Sequence, residues 1–168
     1  MSEDDLVLKL TEAFGPLGFS VMRSAPHRLR VSGTVDALVQ AMKVLNSVGF
    51  NHLHTITAAD YPEKGEFELS YWVGSVEGDL KAHVVQYVFR IPKAKAVVPS
   101  IMDVWPGAEL REREEWEFFG ITFEGNPNLK RLWLPEDWDE MPPLLKDYKL
   151  KRWVEDERAR HGLVVRGE

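Results

Sequence analysis

The sequence predicts an α+β fold, a mostly antiparallel sheet with helices packed on one face, followed by an extended C-terminal tail. Three observations predict it. Two N-terminal segments carry apolar residues at helical spacing. Three central segments are rich in β-branched and aromatic residues and are parted by turn sequences. The last third is broken by Pro127, Pro135, Pro142 and Pro143, which exclude long helices and central strands, yet it stays apolar.

The first helix is expected over Glu3–Phe14, where Leu6, Leu10 and Phe14 repeat every four residues and Ser2 can cap. Gly15 to Gly18 end it. Short strands are expected at Phe19–Arg23 and Arg28–Val31, parted by Pro26. A second helix is expected over Thr34–Val48, with Leu38, Met42 and Leu45 on one face, Asp36 in its first turn and Gly49 as its stop. Leu53–Tyr61, Phe67–Ser75 and Leu80–Arg90 read as strands. In the third, Val85, Tyr87, Phe89 and Ile91 point one way and Pro92 ends the run. Ala96–Trp105 and Leu110–Phe119 are expected as further helices, and Lys151–His161 as a short charged terminal one. The expected division is an α+β domain over residues 1–120 and a Pro- and Trp-containing docking tail over residues 121–168.

Composition narrows the function. The chain has 168 residues, 44% hydrophobic and 29% charged, with a formal net charge of −6. That mixture can bury a core. Its acidity disfavours nonspecific contact with phosphate backbones or anionic lipid. Cysteine is absent, so disulfides, thiolate nucleophiles and Cys-ligated zinc are excluded. Iron–sulfur clusters, normally held by Cys thiolates, are not expected on this chain. The acidic N-terminus lacks a basic n-region with a long apolar h-region, so no signal peptide is expected. No run approaches the ~20 apolar residues of a membrane span.

Three kinds of site are conceivable. Glu112, Glu114, Glu115 and Glu117 could supply an acid/base pair. Interleaved Arg111 and Arg113 instead suggest i,i+4 ion pairs, Arg111–Glu115 and Arg113–Glu117, on a solvated helix face. His52 and His54 lie on one face of a strand and, with Asp60, could bind a metal as a stand-alone metal-dependent enzyme. No Gly-rich nucleotide fingerprint, P-loop, nucleophile elbow or paired-His zinc motif occurs. Recognition remains. Trp, Tyr and Arg dominate interface energetics, and Trp116, Arg131, Trp133, Trp138, Tyr148, Arg152 and Trp153 gather in the C-terminal region. An extended apolar tail must lie across its own domain or a partner.

The run "EREEWEFFGITFEGNPNLKRLWLPEDW", followed by "KDY", resembles the signature of the NuoC-like (30 kDa) subunit family of complex I, the NADH:quinone oxidoreductase, and of related membrane-bound [NiFe] hydrogenase complexes. Weaker echoes are "ITAADYP" and "SIMDVWPGA". Three positions depart from the family: Asn126 stands where His is frequent, Pro142 where His is frequent, and Leu145 where Arg is frequent. The resemblance implies a subunit without flavin, cluster or other cofactor. It implies a peripheral scaffold on the cytoplasmic side of the membrane, docked on a large subunit related to the [NiFe]-hydrogenase large subunit, near a small iron–sulfur subunit. The partner-binding residues it implies are Glu112, Arg113, Glu114, Trp116 and Phe119 on the helix. In the tail they are Phe123, Pro127, Leu129, Arg131, Trp138, Lys146, Asp147 and Tyr148.

Overall fold

A computed structural model describes residues 2–148 and residue 160. The expected terminal helix at Lys151–His161, with Arg152 and Trp153, lies outside the described residues apart from Arg160. The elements are α1 (Glu3–Phe14), β1 (Ser20–Ala25), β2 (Arg28–Ser32), α2 (Leu38–Val48), β3 (His52–Tyr61), β4 (Glu66–Gly74), β5 (Val84–Pro92), β6 (Val97–Pro99), α3 (Ala108–Phe119) and β7 (Thr122–Glu124). The fold is α+β, as the sequence predicts.

Five strands form the main sheet in the order β1-β2-β5-β4-β3. The β1–β2, β5–β4 and β4–β3 pairs are antiparallel, and β2–β5 is parallel. The register places Leu29 beside Val85 and Val31 beside Tyr87, then Tyr87 beside Tyr71 and Phe89 beside Leu69. One face is therefore apolar from β2 to β4. Leu6, Leu10 and Phe14 of α1 and Leu38, Met42 and Leu45 of α2 are buried in the same core. The opposite face is polar: Arg90 pairs with Glu68 at 2.9 Å, and the Gln86 amide donates to Ser70 Oγ at 2.9 Å.

Local chemistry sets the ends of the helices. Ser2 Oγ accepts from the Asp5 N–H and the Asp5 carboxylate accepts from the Ser2 N–H, a reciprocal capping box on α1. Gly49 ends α2 in the left-handed region at φ 114°. That helix begins at Leu38 rather than Thr34, because Thr34 binds Tyr87 instead. The Thr34 N–H donates to Tyr87 Oη at 3.1 Å, and the hydroxyl donates back to the Thr34 carbonyl at 2.9 Å.

The segment 96–105 is not the expected helix. Val97–Pro99 is a strand paired in parallel with β7, and turns follow. β-branched Val97 and Val98 favour extended backbone, Pro99 lacks an N–H, and the Ile101 N–H is taken by Glu112. Trp105, Val98, Ile101 and Phe123 close the core at this end.

Tyr87 reaches Thr34 by passing directly over Gly33, where a Cβ would lie 2.1 Å from its hydroxyl. Gly33→Ala is expected to destabilise the chain by ~1–3 kcal/mol, the usual cost of overpacking. Denaturant unfolding of the two proteins checks it.

Candidate functional site

The site is built on α3. Its sequence promised a solvated face, but Glu112, Arg113, Glu115 and Glu117 are all buried. The expected Arg111–Glu115 and Arg113–Glu117 pairs do not form. Arg111 pairs with Glu114 at 2.9 Å. Arg113 and Glu117 instead meet protein backbone, which offers buried polar groups the hydrogen bonds they require.

Glu112 gathers two loops. Its carboxylate accepts from Ser100 Oγ at 2.8 Å, the Ile101 N–H at 2.8 Å and Asn126 Nδ2 at 2.9 Å. Burial raises its pKa from the ordinary carboxyl value, and those donors act against the rise. Asn126 also donates to the Glu109 carbonyl at 3.2 Å.

Arg113, next to Glu112, and Glu117, just over one turn further on, hold residues 130–134 as a strap. Arg113 Nε donates to the Lys130 carbonyl at 3.1 Å and Nη2 to the Arg131 carbonyl at 3.0 Å. The Glu117 carboxylate then accepts from the N–H groups of Leu132, Trp133 and Leu134, the last at 2.7 Å. A cation thus takes carbonyls and an anion takes amides, in chain order. Trp133 Nε1 donates to Glu114 at 3.2 Å. The Arg131 guanidinium lies 5.5 Å from the Trp116 ring centroid, a cation–π distance, and donates to the Trp138 carbonyl at 2.8 Å.

The rest of the tail is tied at further points. The Leu144 N–H donates to the Phe118 carbonyl at 3.1 Å. Asp60, buried at the end of β3, accepts from Lys93 Nζ at 2.8 Å and from the Lys146 N–H at 3.0 Å. Burial works to raise the Asp60 pKa, but the Lys93 and Lys146 bonds outweigh it and hold the carboxyl below its ordinary value. Asp147 lies 3.9 Å from the same Lys93 ammonium, and Tyr148 Oη donates to Glu140 at 2.9 Å.

The remaining candidate residues divide by exposure. Phe119 is buried beside Phe67, with ring centroids 6.0 Å apart, and Phe123 is buried in β7. Leu129, Arg131, Trp138 and Tyr148 are half-buried, while Pro127, Lys146 and Asp147 are exposed. Leu110, Leu132, Trp133, Met141 and Leu144 leave large apolar side chains in solvent, Trp133 most at 65% exposed.

The His52, His54 and Asp60 set does not assemble. The two imidazoles are neighbours at 5.0 Å between ring centroids. Asp60 is six residues further along β3 than His54, about 20 Å at the strand rise of ~3.3 Å per residue. Its carboxylate is occupied by Lys93 and Lys146.

The sequence pattern does not reveal the environment of Glu115. It reaches toward the sheet, accepts the Ala58 N–H and keeps one oxygen, like the buried Tyr71 hydroxyl, without a hydrogen-bond partner among the described residues. Burial, with a lesser push from Glu114, raises its pKa to about 8. At neutral pH the carboxyl is therefore largely protonated.

Known proteins share this architecture. The C subunit of the NADH-quinone oxidoreductase of Moorella thermoacetica is 38% identical over 117 residues, covering 69% of this chain and 76% of that one. The C subunit of the F(420)H(2) dehydrogenase of Methanosarcina mazei is 31% identical over 147 residues, covering 87% and 89%. Among solved structures, a chain of the membrane-bound sulfane sulfur reductase, an archaeal respiratory membrane complex, superposes with a TM-score of 0.82 at 25% identity, covering 99% of this chain and 96% of that one. A trypsin-resistant fragment of Nqo5 gives 0.63 at 27% identity, covering 74% and 98%. The class is thus that of subunits from oxidoreductase and respiratory membrane complexes. Residues 31–154 match the family described as respiratory-chain NADH dehydrogenase, 30 Kd subunit, and the chain belongs to that family. Among the described residues no helix is long and apolar enough to cross a membrane.

Two outcomes are expected. Glu117→Ala strips the strap's amides of their acceptor, so amide exchange at Leu132–Leu134 should quicken by about tenfold or more while core amides of β4 and β5 hold. Exchange read by NMR or mass spectrometry checks it. The second concerns Glu115, whose folded pKa lies above its unfolded value. The folded chain then binds the extra proton, and stability is lost as pH rises from about 4.5 through about 8. Glu115→Gln should flatten that loss and gain stability over the parent on the order of 1–3 kcal/mol at pH 8, with little gain at pH 5. Denaturant unfolding at both pH values measures it.

Proposed function

We propose that the chain is a non-catalytic scaffold subunit in the peripheral arm of a membrane-bound respiratory complex, of the complex I or energy-converting [NiFe]-hydrogenase type. It sits on the cytoplasmic side and docks on the large subunit related to the [NiFe]-hydrogenase large subunit, beside the small iron–sulfur subunit. Its part in electron transfer is to hold those neighbours in place. The chemistry belongs to them.

The observation that carries this reading is the strap. Its backbone is bound by Arg113 and Glu117, while Leu132 and Trp133 face solvent. Exposed aromatic and aliphatic side chains on a backbone already fixed are the anchors of an interface. The relatives' names agree, since both are named as subunits of larger enzymes, an NADH-quinone oxidoreductase and an F(420)H(2) dehydrogenase. On this reading the implied partner residues share two tasks. Buried Glu112, Arg113, Phe119 and Phe123 shape the surface from within. Glu114, Trp116, Pro127, Leu129, Arg131, Trp138, Lys146, Asp147 and Tyr148 form or border the face that meets the neighbour.

Native purification of the tagged chain from its source, with identification of the accompanying proteins, tests the proposal. Cluster-bearing and hydrogenase-like subunits should co-purify, and recovery as a free monomer would refute it. Trp133→Ala should leave the melting temperature of the isolated chain within about a degree or two and cut recovery of the partners. An anchor of this kind is worth ~2 kcal/mol, about thirtyfold in affinity. Undiminished recovery would remove Trp133 from the interface.

A further inference from the structure

We propose that Glu3, His27 and His83 bind one divalent transition-metal cation of the zinc type, clipping α1 to the β1–β2 turn and to the start of β5. One donor atom from each of the three lies within 4.8 Å of the others. The two imidazole rings meet edge to face with centroids 5.1 Å apart. Glu3 Oε1 lies 3.7 Å from His27 Nδ1. Donors around a four-coordinate cation held at ~2.0–2.1 Å are about 3.4 Å apart, so small side-chain rotations close the set.

The backbone explains why residues so distant in sequence converge. The parallel β2–β5 ladder begins at Arg28 beside Val84, so His27 and His83 each stand one residue before it. The Val84 N–H donates to the His27 carbonyl at 2.9 Å and locks that offset. His27 itself occupies the left-handed region at φ 59°, which few non-glycine residues adopt. The Glu3 carboxylate accepts the His27 backbone N–H and so fixes the first turn of α1 against this turn.

His83 supplies the second observation. It is only 6% exposed, and neither ring nitrogen has a hydrogen-bond partner among the described residues. Buried polar atoms are nearly always paired, and a cation shared with His27 and Glu3 gives one of these nitrogens its partner. Two imidazoles and a carboxylate are a ligand set that zinc accepts, with water completing the sphere. His27 is exposed, so the cation has a path from solvent. Arg23 is the opposing charge. Its guanidinium lies 3.3 Å from Glu3 Oε2 and 2.6 Å from Asp4, while Glu3 Oε1, which accepts the His27 N–H, lies on the imidazole side.

The test titrates the chelator-stripped full-length chain with Zn²⁺ by calorimetry and with Co²⁺ by visible absorption. One equivalent of each should bind, Co²⁺ should show ligand-field bands of a nitrogen–oxygen site, and Zn²⁺ should raise the melting temperature. His27→Ala and Glu3→Gln, at the accessible edge of the site, should each weaken Zn²⁺ binding at least tenfold and abolish the thermal shift. His52→Ala and His161→Ala should change neither. Absence of saturable binding, or affinity unchanged in both His27→Ala and Glu3→Gln, overturns the proposal. So does binding that is lost in His52→Ala or His161→Ala instead.

Discussion

The structure around α3 depends on buried carboxylates finding backbone N–H groups. Glu112 and Glu117 sit inside the protein, where an unpaired charge would be prohibitive. Each is tolerated because a loop without regular structure needs acceptors for its amides. Glu112 answers the Ile101 N–H, with the Ser100 hydroxyl and the Asn126 side-chain amide beside it, and Glu117 answers the N–H groups of residues 132–134. Helix and loops are mutually dependent, since neither side can be buried without the other. That is why a Pro-rich segment that can form no sheet ladder still lies in a defined place.

The same constraint sorts the other acidic groups by what their surroundings offer. Asp60 has an ammonium and an amide, and these hold its carboxyl pKa below the ordinary value. Glu115 has one amide and one oxygen without a partner among the described residues, and burial raises its pKa to about 8. Two buried carboxyl groups, one on β3 and one on α3, are thus shifted in opposite directions. A formal count of −6 treats Glu115 as ionised when the fold does not.

Much of the fold was legible because periodicity reports burial. The repeat of Leu6, Leu10 and Phe14 and the alternation of Val85, Tyr87, Phe89 and Ile91 are direct consequences of one-sided packing, and all seven side chains are buried. Two things were not legible. The 96–105 segment has helix-compatible residues, and only Glu112, a residue of the next helix, commits Ile101 to another partner. The α3 charges matched an i,i+4 ion-pair pattern, and nothing local reveals that a loop 15 to 18 residues downstream supplies Arg113 and Glu117 with backbone partners. Patterns read inside one element miss hydrogen bonds whose other half is backbone, because backbone groups are the same at every position. The signature "EREEWEFFG" covers the helix that carries these charges, but its letters do not show where their backbone partners lie.

The parallel β2–β5 pair has consequences that antiparallel hairpins lack. It joins residues more than fifty positions apart, placing Tyr87 over Gly33 and His83 beside His27. Each junction ties the N-terminal α1–β1–β2 unit to the β3–β4–β5 meander, and each works through a side chain at a point where the ladder starts or stops. Hydrogen bonds of the ladder alone specify register weakly at its ends. The hydroxyl of Tyr87, bonded to both the N–H and the carbonyl of Thr34, fixes one end, and the Glu3–His27–His83 cluster stands at the other. A strap that presents Leu132 and Trp133 in a constant orientation needs a body that does not shear. The two junctions stand at the ends of the β2–β5 ladder, two and three strands away from β3, on which α3 packs.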